Sequence, residues 1–272
     1  MSNRFKSLIF AVAGCLLFSS GAIAQTDQKP KPASPHAPHS FNRHDLSGVW
    51  DHAPTNFSGI QGYRGAGPDD PFPALTPWGQ AKYDANKPGF GPKLVGGAET
   101  NDPITKCDPQ GFPRAYTQEN PEPMEIIQIP GRILEFVEWN HNWRTIWIDG
   151  RELPKDLDPT WYGYSVGKWV GDTLVVNTAG LDDRTWLDPF GDPHSDKMRV
   201  EERYRRVDHD TLELSMTIDD PKTYAKPWIM INKRLLKLRT DYELHEAICA
   251  PSDEQQFNDA VTVPAAKPGP AK

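Results

Sequence analysis

Cysteine is scarce in this chain, with three residues among 272, and basic charge is in deficit, with 30 Lys and Arg against 37 Asp and Glu. A net charge of −7 without a basic stripe argues against a nucleic-acid partner. The one arginine-rich stretch, Arg199, Arg203, Arg205 and Arg206, is interleaved with Glu201, Glu202, Asp208 and Asp210, and reads as a mixed-charge sheet face. Long apolar runs are missing beyond residue 24, so no transmembrane segment is expected. Glycine-rich phosphate loops and a Gly-x-Ser-x-Gly elbow are also absent. Helical periodicity is nearly absent, which leaves strands to build the fold.

What is present begins with an export signal at residues 1–24. Arg4 and Lys6 precede an apolar stretch from Leu8 to Phe18, and Ala22-Ile23-Ala24 offers a cleavage site before Gln25. A rival cut at Val12-Ala13-Gly14-Cys15 would make a lipoprotein anchored at Cys15, but its apolar lead-in is very short. The expected location is therefore periplasmic or extracellular. Removing Arg4 and Lys6 takes the charge from −7 to −9. Residues 25–40 form a Pro-, Lys- and Ser-rich linker, and residues 259–272 a similar tail. Neither has the apolar surface to offset its ordering entropy, so both are expected to be disordered. One domain, residues 41–258, remains between them. Within it Cys107 and Cys249 form an isolated pair, which in an oxidising compartment usually bonds, stabilising the fold by roughly 2–4 kcal/mol.

Strand signals dominate that domain. Met124–Ile129 and Arg132–Trp139 flank Pro130-Gly131, and Trp143–Ile148 follows. Tyr164–Trp169 and Thr173–Thr178, Arg199–Val207 and Thr211–Ile218, and Trp228–Leu238 and Tyr242–Cys249 are three more hairpin pairs. In Thr211–Ile218, Leu212, Leu214, Met216 and Ile218 share one face while Glu213, Ser215 and Thr217 share the other. One buried and one wet face, repeated through hairpins, predicts an all-β antiparallel meander closing into a barrel, with a half-barrel or sandwich as alternatives. One or two short helices accompany it. The first runs from Trp78 to about Asn86 with Thr76 as N-cap and Pro77 in its first turn; the second lies near Ser252–Asn258. Leu46-Ser47-Gly48-Val49-Trp50 adds a possible first strand, and its Gly-x-Trp resembles the opening of lipocalin-type barrels, in which the Trp plugs one end.

Longer runs carry a second resemblance. KWVGDTLVVNTAGLDDRTWLD (168–188), GDPHSDKMRVEERYRR (191–206) and TIDDPKTYAKPW (217–228) are similar to a widespread group of exported bacterial proteins with no assigned activity. LTPWGQAKYDANKP (75–88) and RTIWIDGRELPKD (144–156) are similar to the same group, in which an aromatic usually stands where this chain has Leu181. The resemblance implies export and a unified fold, and no mechanism.

Candidate chemistry concentrates in Leu181–Asp196, long for a hairpin link and rich in Asp. His194 titrates nearest neutrality and is the first candidate general acid or base, with Asp188 or Asp196 to orient its ring. The same residues could simply cap a loop. Glu202 shares a face with Val200 and Tyr204, so it should point inward and either mark a site or pair with Arg144 or Arg206. Trp139, His141 and Trp143, with Trp186, could wall a pocket for a flat apolar ligand, or be sheet core around a solvated turn. The scattered histidines lack ligand spacing, so neither metal nor cofactor is expected. Three readings follow: a small-molecule-binding barrel for an apolar or aromatic ligand; a hydrolase, lyase or isomerase using His194 with Asp188, Asp196 or Glu202; and an envelope protein that docks a partner.

Overall fold

The computed structural model describes residues 40–52, 73–117 and 123–266, which belong to one compact unit, Ser40–Lys272. The export signal, Cys15, the linker up to His39 and the tail beyond Ala266 lie outside the described residues.

Nine strands close into a barrel: β1 (Gly48–His52), β2 (Met124–Ile129), β3 (Arg132–Val137), β4 (Asn142–Trp147), β5 (Tyr164–Val170), β6 (Thr173–Ala179), β7 (Arg199–Asp208), β8 (Thr211–Asp219) and β9 (Trp228–Arg239). Each pairs with its neighbours in sequence, and β1 pairs with β9 to close the ring. The period-two pattern is the cause. Leu212, Leu214, Met216 and Ile218 of β8 are fully buried while Glu213, Ser215 and Thr217 are half-buried outside. Each large apolar side chain taken inside contributes roughly 1.5–3 kcal/mol, which favours the register that buries all four.

Trp50 of β1 is buried in the barrel core. Its ring is buried, its Nε1 donates to the Leu46 carbonyl at 2.8 Å, and the Arg206 guanidinium lies 5.3 Å from the ring centroid. Gly48 is required beside it. It sits at φ +137°, and a Cβ there would fall 2.5 Å from Leu238 Cδ1.

Two expectations of the meander are corrected. First, the ladder is mixed, because β4 and β5 run parallel at Ile146–Ser165 and Trp147–Val166. The connection between them, residues 148–163, is long enough to return the chain to the end where β4 began, which a parallel pair requires. Second, Tyr242–Cys249 is not a strand. Both edges of β9 are already taken by β1 and β8, so no ladder is free to receive it. It runs instead along the turn after β3, through a single bridge between Trp139 and Ala247.

Helices are short. Helix α1 (Pro77–Ala85) starts at Thr76, whose hydroxyl accepts from the Gly79 N–H. Helix α2 (Pro251–Phe257) carries Asp253 and Glu254 in its first turn, where they favour the positive end of the helix dipole. Helical turns continue through Asn258–Thr262 and α3 (Val263–Ala266), past the boundary expected for the tail. Cys107 and Cys249 are joined by a disulfide that ties this C-terminal region to the segment before β2. Among the described residues no helix is long and apolar enough to cross a membrane.

Candidate functional site

Alternation on three strands turns a set of polar side chains inward. Glu135 of β3 and Arg144 of β4 face each other across the ladder, and Glu202 and Tyr204 project from β7. Arg144 grips both carboxylates. Its Nε donates to Glu135, and its Nη1 and Nη2 donate to Glu202 at 2.8 and 2.6 Å. Tyr204 donates to Glu202 at 2.6 Å, and the Tyr116 hydroxyl donates to Glu135. The Phe112 ring covers the guanidinium, 4.0 Å from its carbon. One buried cation between two buried carboxylates leaves an excess negative charge. The carboxyl of Glu135 is pushed above its usual range, by burial first and by neighbouring Glu202, against the pull of Arg144.

Phe112 and Tyr116 come from a connecting segment, residues 110–117, that includes one 3-10 turn (Arg114–Tyr116), is buried along its whole length and fills the barrel mouth. Arg114 pairs bidentately with Asp102 at 2.7 and 2.6 Å, and Arg234 donates to the Tyr116 carbonyl at 2.6 Å. Gly111 is needed here. At φ +72° it passes so close to Thr185 that a Cβ would sit 2.6 Å from the Thr185 methyl. The barrel behind this segment is filled. The gap among Leu46, Ile126, Ile133, Ile146, Leu174 and Tyr204 admits no water-sized molecule. This gap therefore has no room for the apolar ligand expected of a carrier.

The Leu181–Asp196 connection packs against that plug, with Thr117 donating to the Leu187 carbonyl at 2.5 Å and Arg114 over the Trp186 ring. Thr185 through Ser195 are all buried, so the connection is a second packed layer rather than a loose loop. His194 lies within it. Its Nδ1 is 3.3 Å from the Ser195 carbonyl, which can only accept, so Nδ1 carries the proton and Nε2 accepts from the Thr185 hydroxyl at 2.7 Å. Burial holds the imidazole below its usual pKa, against the attraction of nearby acids including Asp220.

The expected partners of His194 sit elsewhere. Asp188 accepts from the Phe190 and Asp192 N–H groups at 2.7 and 3.1 Å and caps its own turn. Asp196 is paired with Lys197 and Lys222 near the surface. Glu202 belongs to the Arg144 cluster, and among the described residues no hydrogen bond or ion pair joins that cluster to His194. The acid that fixes this segment is Asp220, which accepts from the Ser195 N–H and hydroxyl at 2.7 and 2.6 Å. From sequence Asp220 reads only as part of a turn, since nothing local links it to a residue 25 positions away.

Asp188 carries a testable consequence. Burial, and then the charge of Asp192, hold its carboxyl well above the usual range, so the folded state keeps a proton that the unfolded chain releases. The wild type therefore loses stability from this group as pH rises through the folded-state pKa. Asn keeps the accepting oxygen and replaces the acidic proton. Asp188→Asn should match the wild type at pH 4 and exceed it at pH 8 in denaturant unfolding; equal stability at both would contradict the assignment.

Trp139, His141 and Trp143 do not converge with Trp186. Asn140 and His141 form a left-handed turn, φ 58° and 47°, that docks the C-terminal segment: His141 Nε2 meets the His245 carbonyl at 3.0 Å, and Glu138 accepts from the Tyr242 hydroxyl. Trp143 stacks on Phe136 and is 55% exposed. Trp186 alone of the four lines a cleft of about 350 Å³ at the mouth, together with Thr185 and His194. That cleft is also lined by Lys82, Lys106, Asp108, Asp183 and Arg184; the side chains of Lys106, Asp108 and Asp183 make no hydrogen bond or close ion pair among the described residues, and Arg184 attracts both Asp108 and Asp183. No group of His, Cys, Asp or Glu among the described residues is arranged to hold a metal.

Comparison with protein families, curated proteins and solved structures returns no match to this chain.

Proposed function

We propose that this is an exported small-molecule-binding β-barrel protein whose ligand sits in the mouth cleft and is polar, carrying both a cationic and an anionic group. The observation that carries the reading is the cleft itself, about 350 Å³, within the size range of small-ligand sites. It places an ammonium, Lys106, and two carboxylates, Asp108 and Asp183, none with a side-chain hydrogen bond or close ion pair among the described residues, beside the indole of Trp186 and the guanidinium of Arg184. A zwitterion of amino-acid type would pair with both signs, and the neutral His194–Thr185 pair would form the wall. The filled interior moves the ligand from the barrel centre, where the sequence leads one to expect an apolar molecule, to its rim. The Cys107–Cys249 disulfide supports an oxidising location, in keeping with the export signal.

Titration calorimetry with the free amino acids and dipeptides tests this. Saturable binding is expected, and Lys106→Met and Asp183→Asn should each weaken it roughly tenfold, about 1.4 kcal/mol, with unchanged thermal midpoints. No saturation up to about 1 mM, or indifference to both substitutions, would overturn it.

A further inference from the structure

The parallel step from β4 to β5 sends residues 148–163 outside the barrel, where the first part of the connection forms one wall of a groove over β5, β6 and β7. The groove is a cleft of about 460 Å³ adjoining a smaller one of about 190 Å³, and Arg199 lines both. Leu153 of the connection lines the larger cleft with Val166 of β5 and Val175 of β6. Val175 is buried although it lies outside the barrel core, and Leu153 and Val166 beside it are half-buried.

The rim is cationic on a chain of net charge −7. The larger cleft carries Arg151, Lys168 and Arg199 against Glu152, and the smaller one Lys155, Lys197 and Arg199 against Asp196. Arg151 and Lys197 are paired with Asp149 and Asp196. Lys155, Lys168 and Arg199 have no acidic partner among the described residues. An apolar floor bordered by uncompensated cations fits a molecule with an apolar body and an anionic head, and the planar fork of Arg199 matches a carboxylate or a phosphate.

We propose that this outer groove is a second binding site, separate from the mouth cleft, for an anionic amphiphile whose head lies between Arg199 and Lys168 and whose body lies on Leu153, Val166 and Val175. Decanoate and decyl phosphate are the probes, decyltrimethylammonium the control, and methyl NMR with calorimetry the readout. The expected result is saturable binding of one or both anions, with shifts at Val166, Val175 and Leu153. The tighter of the two identifies the head group. Lys168→Gln with Arg199→Gln should weaken binding at least about tenfold without moving the thermal midpoint, because both side chains are exposed. Lys106→Met and Asp183→Asn should leave it unchanged, which separates this site from the mouth cleft. Absence of saturation, equal binding of the cationic control, or an unchanged affinity in the double variant would overturn the proposal.

Discussion

Arg144→Ala should cost about 3–5 kcal/mol of folding stability, because it strands two buried carboxylates at once. Among the described residues the guanidinium is the sole cation in contact with Glu135 and Glu202, and all three side chains are almost fully buried. Removing it leaves both acids together in a low-dielectric interior, along with the cavity once filled by the side chain under Phe112. The loss has two components that can be separated. Glu135→Gln with Glu202→Gln in the Arg144→Ala background removes the stranded charges while keeping the volume, so it should recover part of the stability. Urea unfolding of the single and triple variants decides this. A single variant within about 1 kcal/mol of wild type would mean that water reaches the cluster and the interior is not closed.

The second large effect is expected at the disulfide. Cys107 and Cys249 are 142 positions apart, so the bond closes a long loop in the unfolded chain. Substituting both by Ser should cost about 2–4 kcal/mol, with a chain-entropy ceiling near 5 kcal/mol. The bond also has a local role. Cys107 lies between Lys106 and Asp108, two residues of the mouth cleft, and Cys249 directly precedes Ala250 at the start of α2. Losing it should slacken both, so amino-acid binding at the mouth should weaken along with stability. Guanidinium unfolding with and without reductant measures the first effect, and calorimetry the second. Unchanged stability on reduction would contradict the role assigned to the bond.

How far the sequence foretells this fold depends on which forces are local. Alternation of apolar and polar residues is local, and it places eight of the nine strands and the inward turn of Glu202, while leaving Arg144 and Arg206 both open as its partner. The cap at Thr76 follows from a single side chain and the proline after it. Strand partners are not local. Tyr242–Cys249 has strand composition but no free edge to join, which only the closed ring reveals. The parallel step is visible in the sequence only as a long gap after Trp147. The site suffers most, because Thr185, Asp220 and Asp108 sit in irregular segments and Lys106 ends a single 3-10 turn, where no periodicity marks a facing side. His194 stands out for its titration range, yet burial keeps it neutral and its expected acid partners are loop caps and surface pairs.

The proposed ligand lies at the mouth of a filled barrel interior. Methionine methyl and tryptophan indole NMR during amino-acid titration tests it directly, since Met124, Met216 and Met230 lie in the barrel core while Trp186 lines the cleft. The expected result is a saturating shift of the Trp186 indole with those three methyls unmoved. Shifts at Met124, Met216 and Met230 with a silent Trp186 would place the ligand inside the barrel and contradict the claim.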